Sequence, residues 1–267
     1  MGFKDGRKGT TLCLVQVLRS ERVSPHMIRV TLGGEELARL PEHGFDQWFR
    51  LFLPHEGGET NWQLPEQLGL SGYLKYLRMP SATRPVLRNY TVRAFRPQQR
   101  ELDVDFVVHG ERGPASRWAQ RAQPGDTVAL LDQGRGYEFE GDTDFHLLVG
   151  DETALPAILG ILRDLPRQAR GLALVELPDT ADAQQADAPE GVPLRWLPRG
   201  AGSGTRPGAL ALAALREWRP QRPQTLTAYI CGEHELPTQG RRHLVAQGVP
   251  KPRIIFVGYW RWGKAAS

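Results

Sequence analysis

Three polar side chains in one short segment could hold a large anionic cofactor. Arg88, Tyr90 and Thr91 lie within the segment 88–93 and offer a guanidinium, a phenol and a hydroxyl. If the segment is a strand, alternate residues share a face, so Arg88 and Tyr90 point the same way. A cation and an aromatic ring so placed could contact a flavin ring and its diphosphate. Without further context the segment would equally be an ordinary exposed strand.

A second group of residues, after the next predicted strand, could bind the diphosphate. The sequence Gly-Pro-Ala-Ser-Arg-Trp-Ala at 113–119 starts a short helix, whose N-terminal N–H groups and dipole attract phosphate. A histidine at the end of the strand could hydrogen-bond the flavin or merely cap a turn. The tryptophan could instead belong to the core. The residues assigned to the cofactor here are His109, Gly113, Ala115, Ser116, Trp118 and Ala119.

Two turns in the second half of the chain follow predicted buried strands. The segment 150–156, Gly-Asp-Glu-Thr-Ala-Leu-Pro, opens a helix, and Gly232 and Glu233 follow a later strand. In open α/β sheets, ligands bind at the carboxyl ends of the strands. The small side chains of Thr153 and Ala154 would leave room there for the ring of a bound ligand. Gly232 and Glu233 are predicted to line the same pocket.

The order of these motifs, together with the ending Gly-Tyr-Trp-Arg-Trp-Gly at 258–263, resembles the siderophore-interacting protein family of FAD-dependent ferric-siderophore reductases. The resemblance covers nearly the whole chain. It implies a fold like that of ferredoxin-NADP reductases, with a flavin-binding β-barrel followed by a nicotinamide-binding α/β domain. It also implies FAD as cofactor, NADH or NADPH as electron donor and a ferric siderophore as substrate. The nicotinamide ring of the donor would then lie close to the flavin, beside Thr153 and Ala154.

The resemblance further implies a cationic substrate pocket beside the aromatic ending, where Tyr259, Trp260 and Arg261 lie. Arg50 and Arg135 are the candidates for two more cations around a ferric chelate, which is often anionic. Relatives commonly have lysine at the position of Arg50, and arginine keeps the charge while changing reach and hydrogen-bond geometry. Two alternatives stay open: a flavin or ferredoxin-type reductase with another acceptor, and a non-enzymatic siderophore-binding protein.

The elements that position these residues fall into two classes. A chain of 267 residues favours two domains, and we predict an FAD-binding domain over 1–141 and an NAD(P)H-binding domain over 142–267. The first half reads as short strands with one helix at 115–121, which suits an antiparallel barrel of the six-stranded type. The second half alternates apolar runs with helices, which predicts a parallel sheet. The predicted strands are 10–18, 27–32, 48–53, 102–108, 127–131, 145–149, 171–177, 192–197, 225–231 and 253–257, and the later helices are 153–165, 209–218 and 236–247.

Two stretches break these patterns. Residues 56–85 are rich in Gly, Pro and Tyr, and residues 179–191 are acidic, so both are predicted to be mobile surface segments. Glu176, Asp179 and Asp182 would repel a 2′-phosphate and so hint at NADH. The scattered histidines are expected at the surface or in caps.

Composition excludes several function classes. The only cysteines are Cys13 and Cys231, too few for a disulfide framework or a cluster held by about four thiolates. The net charge of +4 comes from scattered arginines without a basic arm, so anionic small molecules fit better than nucleic acid. No run approaches the roughly 18 apolar residues of a membrane helix, and no signal peptide is evident. We expect a cytoplasmic monomer without membrane insertion or a bound metal.

Overall fold

The computed structural model describes residues 11–108, 113–200 and 204–263, which form two sheets in succession along the chain. The first sheet contains β1 (Leu12–Ser24), β2 (Met27–Gly33), β3 (Trp48–Leu53), β4 (Val86–Thr91), β5 (Ala94–Arg96), β6 (Glu101–Val107) and β7 (Thr127–Asp132). The second contains β8 (Phe145–Gly150), β9 (Gly171–Leu177), β10 (Leu194–Pro198), β11 (Leu226–Glu233) and β12 (Ile254–Trp260). The helices are α1 (Leu70–Leu77), α2 (Pro114–Arg121), α3 (Leu155–Asp164), α4 (Ala209–Glu217) and α5 (Glu235–Ala246).

The first sheet curls into a barrel. Its strand order is β4-β3-β7-β1-β2-β6-β5, all antiparallel, so β4 and β5 form the two edges. Only Val92 and Arg93 separate those edges along the chain, which forces them together. The Val92 amide donates to the Gln47 carbonyl at 2.8 Å, and the Arg93 amide to the Asp103 carbonyl at 2.9 Å. The predicted antiparallel barrel is confirmed, with the three-residue β5 as a seventh strand.

The second sheet is parallel, in the order β10-β9-β8-β11-β12. Every residue of β9 and β11 is buried, because helices cover both faces. Helix α3 packs on one face, and α4 and α5 pack on the other. The predicted parallel α/β architecture is therefore confirmed, and the carboxyl ends of β8, β11 and β12 meet at one edge.

The structure of residues 56–85 differs from the prediction that this is a mobile surface segment. The prediction of a single helix in the first half was wrong, because α1 lies here as well as α2. Apolar side chains of the segment pack on the outer face of the barrel, over Phe52 and Leu131. The segment is thus a packed cover on β3 and β7. The residues that pack there are Trp62, Leu64, Leu68, Tyr76 and Met79.

The acidic stretch 179–191 contains a buried contact between the α/β domain and the barrel. Asp182 is 2% exposed and accepts hydrogen bonds from the Ser24 hydroxyl at 2.7 Å and the His26 amide at 2.9 Å. Its second oxygen lies 2.7 Å from Nδ1 of His26. Asp182 therefore fastens the α/β domain to the end of β1.

Replacing Asp182 with alanine is expected to lower the free energy of unfolding by about 1–3 kcal/mol, because buried donors lose their acceptor. Burial alone would raise the pKa of Asp182, but the hydrogen bonds from Ser24 and His26 hold the pKa below its ordinary value. The stabilisation should thus be present at neutral pH and disappear on acidification below about pH 4. Urea unfolding at several pH values measures this.

Asp187→Ala is the matched control, since Asp187 lies in the same segment with its side chain 69% exposed and pairs with Arg167 at 2.9 Å. An exposed pair of this kind contributes roughly 0–1 kcal/mol. Equal losses in the two variants would contradict the proposed role of Asp182.

Candidate functional site

The strand register places Arg88 and Tyr90 on the inner face of the barrel. Tyr90 lies opposite Phe49 and Arg88 opposite Leu51, and both of those partners are fully buried in the barrel core. The Tyr90 ring packs at 4.4 Å from the Phe106 ring. Burial raises the pKa of Tyr90, so its phenol stays protonated at neutral pH. Arg88 and Tyr90 thus share a face, as predicted.

Helix α2 lies beside this face, because the centre of the Trp118 ring is 5.4 Å from the centre of the Phe106 ring. Ala115 and Ala119 pack into the barrel core, so their side chains point away from any diphosphate. Trp118 also packs against that core, the alternative left open for it. The backbone N–H groups of this helix end are therefore the groups to consider as donors to an anion.

The N-terminus of α2 suits a diphosphate. Its N-cap, Gly113, has φ of +84°, and none of the side chains that the structure describes caps the helix. A Cβ on Gly113 would meet none of the described atoms within 4 Å. Ser116 lies in the first turn and is 7% exposed. With Arg88 on the neighbouring strand face, the backbone N–H donors of this helix end fit the diphosphate of FAD. The predicted contact of His109 lies outside the described residues.

Thr91 lies on the opposite face of β4 from Tyr90. It pairs with Trp48, and Asn89 pairs with Arg50, so Thr91 and Arg50 are diagonal neighbours on the outer face of the barrel. Such diagonal pairs are about 7–8 Å apart. The Arg50 guanidinium donates to the Leu68 carbonyl at 2.8 Å. The structure therefore brings one predicted substrate cation next to the predicted flavin strand.

A single buried carboxylate, Asp151, connects the segments at the carboxyl edge of the parallel sheet. Oδ1 accepts from the Thr153 amide at 2.9 Å and from its hydroxyl at 2.5 Å. Oδ2 accepts from the Glu233 amide at 2.6 Å and from the Trp260 indole at 3.3 Å. Asp151 thereby ties together the ends of β8, β11 and β12. Burial, followed by the charge of neighbouring Glu152, raises the pKa of Asp151 to about 7.

Two glycines make this arrangement sterically possible. A Cβ on Gly232, which has φ of +131°, would lie 2.6 Å from the Asp151 carboxylate. A Cβ on Gly150 would lie 2.5 Å from the Ala154 Cβ. The strand ends therefore approach one another as closely as backbone permits. The absence of a side chain at Gly232 leaves room for the Asp151 carboxylate, and the contact of Gly232 with a nicotinamide stays a prediction.

The other residues predicted at this edge are held in place by contacts within the protein. The hydroxyl of Thr153 is bound to Asp151, and Ala154 is fully buried. Glu233 is also fully buried, and its carboxylate accepts from Arg206 at 2.7 Å and from the Trp262 amide at 3.0 Å. Burial would raise the pKa of Glu233, but these hydrogen bonds hold it below its ordinary value. Their direct contact with a nicotinamide stays a prediction.

Arg199 neutralises two more buried carboxylates at the same edge. It donates to Glu152 at 2.7 and 2.8 Å and to Glu176 at 2.7 Å. Glu176 also accepts from the amides of Gly208 and Ala211 at the start of α4. Glu176 is thus buried and paired with a cation, and the choice between NADH and NADPH stays open.

The aromatic ending is joined to the barrel through two phenols. The hydroxyl of Tyr259 lies 2.8 Å from that of Tyr229, which neighbours the buried carboxylate of Asp46. Asp46 lies two residues before the start of β3, and its carboxylate accepts a hydrogen bond from the Tyr137 amide at 2.7 Å. Trp48, the strand partner of Thr91, follows two residues later. The predicted flavin strand and the carboxyl edge of the parallel sheet therefore converge.

The backbone on either side of Arg135 contacts this convergence, because the Trp48 amide donates to the Gly134 carbonyl at 2.9 Å and the Gly136 amide donates to Asp46 at 3.0 Å. The Arg135 guanidinium lies 4.9 Å from the centre of the Phe45 ring, donates to the His43 carbonyl at 3.3 Å and helps to lower the pKa of Asp164. Asp164 ends α3, about 15 Å along the helix from the carboxyl edge. Arg261 follows β12 at that edge and is exposed. The roles of Arg50, Arg135 and Arg261 as site cations all stay predictions.

Comparisons with known proteins agree with this geometry. Family models for a siderophore-interacting FAD-binding domain and for a siderophore-interacting protein match residues 16–136 and 143–263. The ferric vibriobactin reductase of Vibrio cholerae is 34% identical over 94% of this chain and 90% of that protein. The chain belongs to the siderophore-interacting protein family. A siderophore utilization protein from T. fusca has the same fold, with a TM-score of 0.81 and 34% identity over 95% of this chain and 94% of that one.

Another relative of this siderophore-interacting protein is the NADPH-dependent ferric-chelate reductase of Escherichia coli. It is 32% identical over 68% of this chain and 69% of that protein. In the described part of the chain, no helix has the length and apolar character needed to cross a bilayer.

In this siderophore-interacting protein, Arg88→Ala is expected to raise the dissociation constant for FAD by roughly tenfold to a hundredfold, because a charged hydrogen bond contributes about 1.5–3 kcal/mol. Titration of the apoprotein with FAD, followed by flavin fluorescence, measures the constant. Arg22→Ala is the control, since Arg22 is exposed on β1 and contacts only the nearby Pro25 carbonyl in the hydrogen bonds described. Unchanged FAD affinity in Arg88→Ala would remove Arg88 from the flavin site.

Proposed function

We propose that this protein is an FAD-dependent ferric-siderophore reductase, which passes electrons from NAD(P)H through FAD to Fe(III) chelates and releases Fe(II). The convergence of β4 with the carboxyl edge of the parallel sheet is the observation that carries the proposal. A flavin held on β4 and α2 would there meet a nicotinamide held at the ends of β8 and β11. One NAD(P)H reduces two ferric ions, which gives NAD(P)⁺, a proton and two ferrous ions.

The residues of the chain bind and orient rather than react. FAD, when bound, supplies the conversion from a two-electron donor to a one-electron acceptor. Arg88 and the N-terminus of α2 hold anionic groups, and Tyr90 presents a neutral phenol within the barrel face. Asp151 and Gly232 fix the edge at which the nicotinamide lies. The proposed cofactor contacts thus involve positioning alone, with no nucleophile.

Arg50 is proposed to attract the ferric chelate. Reduction weakens the hold of hard, anionic oxygen ligands on iron, so the chelate is released after electron transfer. Arg50→Ala is expected to raise KM for an anionic ferric chelate by about tenfold through the lost charge–charge attraction, with little change in flavin reduction. Arg50→Lys should restore most of the affinity. Steady-state assays over a series of chelate charges measure both effects, and equal KM values for Arg50→Ala and wild type would contradict the role.

The function itself is tested by an anaerobic experiment. The FAD-loaded protein is reduced with NADH or NADPH, a ferric catecholate or hydroxamate chelate is added, and flavin reoxidation is followed while Fe(II) is trapped. Reoxidation with two Fe(II) per flavin supports the proposal and identifies the preferred nicotinamide. A flavin that stays reduced would favour a reductase for another acceptor, and failure to bind FAD would favour a non-enzymatic siderophore-binding protein.

Three further points belong to the same proposal. The FAD-binding domain comprises 1–141 and the NAD(P)H-binding domain 142–267, a division supported by the 12-residue interval between β7 and β8. The protein works as a monomer in the cytoplasm. Both cysteines are buried free thiols, as expected in a reducing compartment.

A further inference from the structure

Helix α1 carries an apolar stripe that faces away from the protein. Its members are spaced as neighbours on one helix face, at i, i+3, i+4 and i+7. Among the described residues, nine large hydrophobic side chains are exposed, and four of them lie on these eight residues. Such a concentration marks a surface that contacts something else. The stripe consists of Leu70, Tyr73, Leu74 and Leu77, with exposed fractions of 81, 43, 42 and 43%.

The stripe is held outward by the packing of the other side of the helix. Tyr76 is buried, its ring lies edge-on to Phe52 with 6.0 Å between centroids, and its hydroxyl donates to the Pro85 carbonyl at 2.8 Å. A Cβ on Gly72 would lie 1.8 Å from the Gln67 carbonyl, so the start of α1 packs tightly on the preceding chain. The helix is therefore attached to the barrel through one face only.

The surroundings of the stripe are cationic. The 34 residues 67–100 contain seven Lys or Arg and no Asp or Glu. Lys75 and Arg78 lie on α1 and at its end, and both are exposed. Within the described residues neither forms an ion pair, whereas Arg96 and Arg100 further along pair with acidic residues. An apolar stripe beside unpaired cations fits an anionic, partly apolar surface.

We propose that α1 docks this protein on the anionic surface of a lipid bilayer. The apolar stripe would lie at the boundary between the headgroups and the acyl chains, and Lys75 and Arg78 would contact the headgroups. A second copy of the chain is a poorer occupant, because a two-fold contact through α1 would bring the same cations together. A convex helix face also cannot enclose a small chelate. Docking would hold β4, nine residues beyond α1, close to the membrane surface.

Vesicle flotation of the FAD-loaded protein tests the proposal. Vesicles of phosphatidylcholine with about 30% phosphatidylglycerol should bind roughly tenfold more protein than vesicles of phosphatidylcholine alone, with loss of the difference at high salt. The double variant Leu70→Ser/Leu74→Ser should bind about tenfold less, since apolar burial is lost. The charge-reversal variant Lys75→Glu/Arg78→Glu should lose the preference for anionic vesicles.

Leu14→Ser/Leu18→Ser is the matched control, because both leucines lie on β1 of the same domain and each is 42% exposed. This variant should bind vesicles like wild type. Absence of vesicle binding by wild type, or equal losses in the two double variants, would overturn the proposal. So would a concentration-dependent dimer, seen by light scattering, that Leu70→Ser/Leu74→Ser abolishes. Flotation requires no electron transfer, so its outcome is independent of the proposed reductase activity.

Discussion

Gly232→Ala is expected to slow the reduction of bound FAD by NAD(P)H by about a hundredfold while FAD affinity stays unchanged. The new Cβ would lie 2.6 Å from the Asp151 carboxylate, at a backbone φ of +131° that alanine rarely adopts. Either the carboxylate or the end of β11 must therefore move. A displacement of about 1 Å at the reacting centre costs on the order of a hundredfold in rate. The proposed flavin contacts on β4 and α2 belong to the other sheet, so FAD affinity should not change.

Anaerobic stopped-flow mixing with NADH and with NADPH measures this rate directly. Gly125→Ala is the control for backbone strain, because Gly125 has φ of +93° and a Cβ there would meet no atom within 4 Å. Gly125 lies in the turn before β7, far from the carboxyl edge in the fold. Flavin reduction at the wild-type rate in Gly232→Ala would show that the nicotinamide does not use this edge.

Much of the fold could be predicted because its strands are locally regular. The strand prediction for 48–53 matches β3 at both ends, and that for 171–177 matches β9. The alternation in β6 was misleading in one respect, since Asp103 and Asp105 are buried rather than solvent-facing. Arg96 pairs with Asp103 at 2.7 Å, and Arg29 pairs with Asp105 at 2.7 Å. Pairing with arginine allows a carboxylate to be buried, and the local pattern does not reveal the partner.

Helix α1 was missed for a similar reason. Gly72 and the surrounding glycines and prolines read as helix breakers, which favoured an irregular segment. In the structure, Gly72 is required by the close approach of the Gln67 carbonyl, so its role is packing within the segment. Tertiary contact with β3 and β7 then stabilises a helix whose local signal is weak.

The candidate site was predictable where it depends on strand geometry. Parallel strands share a carboxyl edge, so the segments containing Thr153 and Gly232 could be placed together from sequence alone. The hydrogen-bond partners within that edge could not be predicted, because Asp151 and Glu233 are separated by 82 positions in the sequence. His146 shows the same limit: it was expected at the surface or in a cap, but it is 4% exposed and 2.6 Å from the Tyr137 hydroxyl. Burial lowers its pKa to about 4.

Asp151→Asn is expected to remove a pH dependence near neutrality from both folding and flavin reduction. The native state favours the protonated carboxyl of Asp151, whose pKa is raised to about 7 from an ordinary value of 3.8. A raised pKa contributes stability that is lost as pH rises through the native value. Between about pH 5 and pH 8.5, wild type should therefore lose on the order of 2–3 kcal/mol relative to Asp151→Asn. Urea unfolding of both proteins at each pH gives this difference, from which the opposing contribution of His146 cancels.

The same titration should appear in catalysis, since Asp151 accepts from the Glu233 amide and the Trp260 indole that border the proposed nicotinamide pocket. Ionisation strengthens both hydrogen bonds and tightens the carboxyl edge. The rate of flavin reduction by NAD(P)H in wild type should rise with an inflection near pH 7, whereas the profile of Asp151→Asn should be flat there. Arg206 pairs with Glu233 and helps to hold the pKa of that carboxyl below its ordinary value, so Glu233 stays ionised through this range. An inflection retained in Asp151→Asn would assign the titration to another group, because asparagine keeps an acceptor for the edge but has no proton to lose.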